Sequence, residues 1–198
     1  MGELNTPGII PPEHNPELAF LLNRRSCHKL MAPGPGADAL ELILRAALRA
    51  PDFLRLRPFR FLVARDGGLD RLGQAMQRAA IAAGKDEATV ARAPDMPRRA
   101  PLLITVVFSP KPSETVPLFD QELCAGSAVL MMQMAARAQG FGAVWRSGWL
   151  MFDPGFHREL GLAAQERIAG FLYIGTPAHP EPARSRPDED LSAFTSWI

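Results

Sequence analysis

The sequence has few cysteines and no long apolar run, and each shortage excludes a class of protein. Only two of its 198 residues are cysteines, Cys27 and Cys124, and they show no spacing typical of zinc or thiol redox sites. Such cysteine usage favours a reducing, cytoplasmic setting. No window reaches the roughly 18 apolar residues that a membrane span requires, and no basic segment followed by an apolar run marks an export signal. We therefore expect neither membrane insertion nor export.

An excess of charge of either sign is also absent. The 22 basic and 21 acidic residues give a net charge of +1, which provides no field to attract a nucleic acid. Lysine occurs only at positions 29, 85 and 111, so nearly all positive charge comes from arginine. The arginine side chain can bind phosphate and carboxylate through two parallel hydrogen bonds. Because a biased genome composition also enriches arginine, only the position of an arginine in the chain can indicate that it binds an anion. We expect no nucleic-acid partner.

The common nucleotide, metal and hydrolase motifs are missing as well. No GxGxxG follows a strand, and no GxxxxGK[ST] occurs, which disfavours a Rossmann domain and a P-loop. Ser127 and Ser147 lack the GxSxG elbow of hydrolases. The histidines show no metal-ligand spacing on a shared helix face; they are His14, His28, His157 and His179. We predict no metal site and no catalytic side chain.

The periodicity of apolar residues predicts helices that alternate with a few strands, which is typical of the α+β class. We expect a loose, proline-rich arm over 1–14 and a single domain over 15–198 whose tail begins at 178. The predicted helices cover 16–24, 40–48, 69–83, 119–139 and 154–160, and the predicted strands cover 58–65, 102–108 and 168–174.

The longest predicted helix is apolar or small on nearly every side between Cys124 and Ala136. A helix without a polar face must be covered all round. A domain of this size rarely covers a helix completely by itself, so the pattern favours a second subunit. We therefore expect a homodimer.

A cluster of Asn23, Arg24, Arg25 and Ser26 follows the first predicted helix and precedes a loop rich in proline and glycine. Two guanidinium forks and a hydroxyl at one helix end suit a phosphate group. Among the arginines of the chain, this pair is therefore the first candidate for an anion site.

This cluster resembles the opening motif of the nitroreductase family, and further segments resemble later family motifs in the same order. The resemblance covers about 16–177 and is closest to the short, minimal nitroreductases. The further segments are Leu40–Ala50 with Ala50-Pro51, Pro58–Phe61, Ala100–Ile104, Gln139–Gly142, Trp145–Gly148 and Gly170–Pro177.

The resemblance implies a central mixed sheet flanked by helices, a domain-sharing homodimer with flavins at the subunit interface, and a tail over 178–198 that packs on the partner subunit. It implies FMN as cofactor and NAD(P)H as electron donor. On the ribityl phosphate side it places Arg24, Arg25 and Ser26, and along the flavin ring it places Arg146, Ser147 and Gly148. It further implies flavin contacts by Arg49, Phe53 and Trp145, and it offers Arg184 or Arg186 as a further phosphate contact.

The implied activity is transfer of electrons from NAD(P)H to a nitroaromatic, a quinone or a similar organic acceptor, by a ping-pong mechanism. Three alternatives remain open at this point: a flavin dehydrogenase or dehalogenase of the same fold, a flavin-binding protein without turnover, and an α+β dimer that holds no flavin. Phe53, Arg57 and Phe59 depart from the residues of close family members, which indicates a different acceptor pocket.

Overall fold

Two units make up the chain in the computed structural model, which describes residues 14–179 and 189–198. One unit comprises 1–25 and 181–198, and the other comprises 26–180. The arm predicted over 1–14 lies outside the described residues except for its last position. The predicted domain boundaries, 15–198 with a tail from 178, stay a prediction.

The described part of the first unit contains one helix, α1 (Pro16–Leu22), and a short 3₁₀ turn over Leu191–Ala193. The side chain of Asn15 caps α1 by accepting a hydrogen bond of 2.9 Å from the backbone N–H of Leu18. Pro16 suits the first helical position, because it has no backbone N–H that would need a hydrogen-bond partner there. The predicted first helix is therefore confirmed, and it ends two residues earlier than expected.

The second unit is built on a five-stranded sheet of order β1-β5-β3-β2, with β4 also paired to β5. The last strand, β5, is therefore the common partner of three other strands. The strands are β1 (Leu30–Met31), β2 (Phe59–Arg65), β3 (Leu102–Phe108), β4 (Gly142–Arg146) and β5 (Arg167–Pro177).

Every strand pair in the described residues is antiparallel, whereas the resemblance implied a mixed sheet. The connection between β2 and β3 explains why these two strands are antiparallel. The segment between them brings the chain back to the end of the sheet at which β2 finishes, and β3 begins there. Arg65, the last residue of β2, is thus opposite Leu102, the first residue of β3. The α+β class itself is confirmed.

Helices cover both faces of this sheet, so β3 is buried along its whole length, as its continuous apolar run predicts. On one face, Ile104 and Leu172 pack with residues of α2 and α5. On the other face, Leu103 and Phe171 pack with residues of α3 and α6. The helices of this unit are α2 (Ala37–Ala47), α3 (Gly67–Ala82), α4 (Glu87–Arg92), α5 (Leu118–Ala138) and α6 (Pro154–Glu159).

The structure confirms the other predicted helices and all three predicted strands to within a few residues. It adds β1, α4 and β4, which the sequence did not predict. The two residues of β1 and the five residues of β4 are too few to show the alternation of apolar and polar residues that marks a strand. The glycines that precede β4 also favour a turn. The addition of β4 matters most, because it carries Trp145 and Arg146.

Candidate functional site at the end of strand β4

Trp145 and Arg146 are neighbours at the end of β4 and point to opposite faces of the sheet. The Trp145 indole lies towards α5, where its ring approaches Gly126. The Arg146 guanidinium lies on the other face, with its central carbon 5.8 Å from the ring centre of Tyr173. A single strand end thus presents an aromatic surface on one side and a positive charge on the other.

The indole of Trp145 lies directly on the backbone of β5 at Gly170. A Cβ atom built on Gly170 would be 2.0 Å from the indole Nε1, so no larger residue fits without moving the ring. Trp145 remains 39% exposed and lines a cavity of about 610 Å³. Other walls of this cavity are Phe108, Phe152, His157, Glu166 and Ile168.

On the opposite face, Arg146 lines a smaller cavity of about 80 Å³ together with Ser147, Gly148 and Tyr173. Its Nε–H is buried and has no hydrogen-bond partner among the described residues. Burial raises the pKa of Tyr173, while the charges of Arg99 and Arg146 act against that rise. Ser147 and Gly148 themselves are exposed.

Ser26 is brought close to β4 by its neighbour in the chain. The backbone N–H of Cys27 donates a 2.9 Å hydrogen bond to the carbonyl of Ala143, which also accepts from the Gln133 amide at 3.1 Å. Ala143 lies two residues before Trp145, about 7 Å along a strand. Ser26 therefore precedes a residue that is hydrogen-bonded to the strand carrying Trp145 and Arg146.

The approach of this segment to β4 depends on a glycine. A Cβ built on Gly142 would be 2.7 Å from the Leu30 side chain and 2.8 Å from the Cys27 sulfur. Only glycine therefore lets the chain after Ser26 lie this close to β4.

Arg24 and Arg25 belong to the other unit and are the last residues of its N-terminal segment. They follow α1 directly, both are half-buried, and the backbone N–H of Arg24 donates to the carbonyl of Leu21 at 3.0 Å. Arg184 and Arg186, the other candidates for a phosphate contact, lie outside the described residues.

Arg49 and Phe53 lie elsewhere in the second unit, after α2. Both are exposed, Phe53 to 65%. Phe53 lines a third cavity, of about 240 Å³, with Gln121, Leu123 and Cys124 of α5. Within one chain, Phe53 and Arg146 thus line different cavities.

The loop that carries Phe53 is held in a strained conformation by Asp52. The Asp52 carboxylate accepts hydrogen bonds from the backbone N–H groups of Leu56 at 3.0 Å and Arg57 at 2.9 Å. Leu54, Arg55 and Arg57 all have positive φ, which is costly for residues other than glycine. Strain of this kind persists only where surrounding contacts fix it, and Asp52 supplies those contacts.

Cys124 lies beneath this loop as a buried thiol. Burial raises its pKa to about 11, and the nearby charge of Asp52 acts in the same direction. A thiol with so high a pKa is a poor nucleophile at neutral pH. Cys124 is therefore a packing residue of the site and not a reactive one.

Sequence reasoning missed several residues that shape these cavities: Asp52, Arg99, Glu166 and Tyr173. Asp52 was within reach, because Asp followed by a short irregular segment is typical of a side-chain-capped turn. Arg99, Glu166 and Tyr173 gave no signal, because their partners are far away in the sequence. Glu166 pairs with Arg60, 106 residues earlier.

The Arg60–Glu166 pair lies next to the cavity of about 610 Å³, which Glu166 lines. The guanidinium donates from Nε to Oε1 and from Nη2 to Oε2, each at 2.7 Å, and the backbone N–H of Ala163 adds a third hydrogen bond at 3.0 Å. These hydrogen bonds, led by those from Arg60, lower the pKa of Glu166 to about 2 despite its burial. The pair therefore stabilises the folded protein when Glu166 is ionised.

We expect Glu166→Gln to lower the free energy of unfolding by about 1.5–3 kcal/mol at neutral pH, because it removes the charge of a buried carboxylate that accepts charge-assisted hydrogen bonds from Arg60. Since the folded pKa lies below the ordinary value of 4.5, this stabilisation is present above pH 4.5 and is lost as the pH falls towards 2. Denaturant unfolding between pH 2 and pH 7 measures both effects.

The matched control for this prediction is Glu159→Gln. Glu159 also pairs with Arg78 at 2.7 Å, but that pair is exposed to solvent. An exposed pair contributes at most about 1 kcal/mol. Equal losses in the two variants, or a Glu166→Gln protein that keeps the acid sensitivity of the original, would contradict the assignment.

No helix among the described residues is long and apolar enough to cross a membrane. Residues 21–176 match the model of the Nitroreductase family. The chain is 46% identical over 160 residues to the protein named "Putative NAD(P)H nitroreductase YdjA" of Escherichia coli K12, covering 81% of this chain and 87% of that protein. A Haemophilus influenzae protein named "Putative NAD(P)H nitroreductase" is 37% identical and covers 80% and 87%.

Solved structures agree in fold. A nitroreductase-like family protein from Bacillus cereus superimposes with a TM-score of 0.78 at 21% identity and covers 98% of both chains. A nitroreductase from Desulfovibrio desulfuricans, solved in complex with FMN, gives a TM-score of 0.70 at 26% identity and covers 93% of this chain and 97% of the other. Motif order, fold and these matches lead to one conclusion: the chain belongs to the Nitroreductase family.

Proposed function

We propose that the chain is a homodimeric, FMN-dependent oxidoreductase that takes electrons from NAD(P)H and passes them to a nitroaromatic, a quinone or a similar organic acceptor. The observation that carries this proposal is the Cys27–Ala143 hydrogen bond, which holds the residue after Ser26 on the strand that leads into the Trp145–Gly148 segment. The FMN named for the Desulfovibrio structure, and the NAD(P)H in the names of the curated relatives, support it.

The chemistry of these side chains fits FMN. Arg24, Arg25 and Ser26 offer two guanidinium forks and a hydroxyl, which suit the ribityl phosphate. Gly148 has no atom within 4 Å of the place where a Cβ would lie, so a ring can approach the backbone there. Trp145 adds a flat apolar surface, and Ser147 adds an exposed hydroxyl.

The protein has a limited task in this reaction. A bound FMN would supply the chemistry of hydride transfer between the nicotinamide and the second ligand. Arg49 would supply positive charge to the reduced ring, whereas Arg146 would offer the ring its backbone only, because its guanidinium lies against Tyr173 on the other face of the sheet. No side chain has to move a proton, which agrees with the sequence prediction of no catalytic acid or base. Donor and acceptor would bind in turn, giving ping-pong kinetics.

The test is the absorbance spectrum of the purified protein, recorded without oxygen before and after NADH or NADPH is added. We expect a flavin spectrum that bleaches with one or both nucleotides and returns when a quinone or nitroarene is added. Parallel double-reciprocal lines in steady state would support ping-pong kinetics. A protein that stays colourless after incubation with FMN would refute the proposal, and a flavin that no nucleotide reduces would favour a binding protein.

The proposed dimer rests on an exposed apolar stripe along α5. Phe119, Leu123 and Leu130 are 66%, 55% and 42% exposed in the single chain, and their spacing puts them on one helix face. The neighbouring Met131 and Met134 are half-buried. Such a stripe is typical of a surface that another chain covers. A cytoplasmic location, predicted from the two cysteines, remains part of the same proposal.

We expect Leu130→Lys to split the dimer or unfold the protein, because a lysine in a covered apolar surface costs several kcal/mol. Ile81→Lys is the matched control, since Ile81 is also exposed, to 61%, but lies on α3. Sedimentation equilibrium at micromolar concentration measures the assembly. An original protein that is monomeric while carrying FMN, or equal behaviour of the two variants, would rule out this interface.

A further inference from the structure

The cavity beside Arg146 on the α3 face has an unusual charge. Arg99 and Arg146 both line it, and its walls contain no carboxylate in the described part of the chain. The adjacent arginine, Arg98, is different because it pairs with Asp70. Two arginines thus line one small space, and none of its described walls offers a negative charge.

The same cavity contains a donor that lacks an acceptor. The Nε–H of Arg146 is buried and unpartnered among the described residues, and Ser147 adds a hydroxyl. A buried, unpaired donor is costly, and the cost is greater for a charged group. A water molecule would satisfy the Nε–H, but it would bring no negative charge to the two arginines. An anion satisfies both needs.

The walls of the cavity strengthen such an interaction. Met76, Leu150 and Phe171 are buried apolar residues that exclude water from one side. A charge-assisted hydrogen bond is stronger next to apolar walls than in water. Tyr173, which is 2% exposed, lies against Arg146 and limits the depth of the space. With a volume of about 80 Å³, the cavity admits a group of a few heavy atoms and excludes an aromatic ring system.

We propose that Arg99, Arg146 and Ser147 form a binding site for a phosphate or carboxylate group that does not belong to the flavin. Guanidinium forks suit both groups. The anion belongs to a second ligand, such as a phosphate of the dinucleotide donor or a carboxylate of the acceptor. The site lies across β4 from Trp145, so the backbone of 146–148 serves the flavin ring while the Arg146 side chain serves the anion. This division of roles rests on the proposed function, but the anion site itself does not.

The experiment is calorimetric titration of the FMN-loaded protein with inorganic phosphate at constant ionic strength. We expect saturable binding that Arg99→Gln weakens by roughly 10-fold or more, because one charged hydrogen-bonding partner is lost. Arg146→Lys keeps the charge but lacks the Nε–H, so it should weaken phosphate binding as well. The matched control is Arg98→Gln, which removes the neighbouring arginine that pairs with Asp70 and should leave the affinity unchanged.

Three results would overturn the proposal. They are absence of saturable binding, equal weakening by Arg98→Gln and Arg99→Gln, and binding of phosphate by flavin-free protein only, which would mean that the flavin occupies the cavity. Thermal unfolding of each variant checks that it is folded, and Arg99 is an exposed residue whose replacement leaves the core intact. If the protein takes up no FMN, the titration is done on the protein as purified. The proposed function then fails while the anion site is still tested.

Discussion

Replacing Gly170 with alanine should displace Trp145 and weaken flavin binding by about 10-fold, because a methyl group would occupy the space of the indole. The added Cβ would be 2.0 Å from Nε1 and 2.7 Å from Cδ1 of Trp145. The ring lies between β5 and α5 and borders the cavity of about 610 Å³, so the added methyl group would push it towards that cavity. Overpacking of this kind also lowers the free energy of unfolding by about 1–3 kcal/mol. Fluorescence titration with FMN and denaturant unfolding measure the two effects.

The control is the same substitution at the other glycine that contacts this indole. A Cβ on Gly126 would be 3.6 Å from Cη2 of Trp145, which is an ordinary contact distance. Gly126 lies within α5, where alanine is more favourable than glycine by up to about 1 kcal/mol. Gly126→Ala should therefore preserve flavin binding and stability. If both variants bind FMN like the original protein, Trp145 is not a contact of the ring.

Arg24→Ala should weaken FMN binding by roughly 10- to 100-fold, the effect of losing one charge-assisted hydrogen bond to a phosphate. Arg24→Glu should weaken it further through repulsion. Arg24 is half-buried directly after α1, beside Arg25 in the chain. The apoprotein should fold normally, because the α1 cap at Asn15 is unaffected.

Riboflavin provides the decisive comparison for Arg24, because it lacks the phosphate. The loss of riboflavin affinity should be much smaller than the loss of FMN affinity. Arg45→Ala serves as the matched variant, since Arg45 is an exposed arginine whose guanidinium already pairs with Glu41 at 2.7 Å. Equal losses for the two flavins would mean that Arg24 acts on the structure of the protein, and unchanged FMN affinity would remove it from the site.

The fold could be predicted from the sequence wherever the signal is local. The bounds of β3 could be predicted from the nearly continuous apolar run over 102–108, and all seven residues are buried in the structure. The start of α1 could be predicted from the capping pair Asn15 and Pro16. The strand β4 was not predicted, because its five residues pair with a segment about 30 residues later. Pairing partners, and not propensity, decide whether so short a segment is a strand.

The candidate site was predictable only in part for the same reason. The motif around Arg24 and the segment 145–148 could be identified by resemblance, but the position of Ser26 next to β4 depends on the contact of Cys27 with Ala143. The strained loop after Asp52 was also invisible, because positive φ at Leu54 and Arg55 contradicts their intrinsic preference. Such a conformation comes from contacts that no local pattern records.

The role of β5 as partner of three strands has a consequence for biosynthesis. The apolar strand β3 leaves the ribosome about 60 residues before β5, so one of its edges stays unpaired while the intervening helices are made. During this interval a nascent chain presents a flat apolar edge that can pair with another copy. Correct folding in the cell therefore depends on how quickly β5 follows, and slow translation of this interval would favour aggregation.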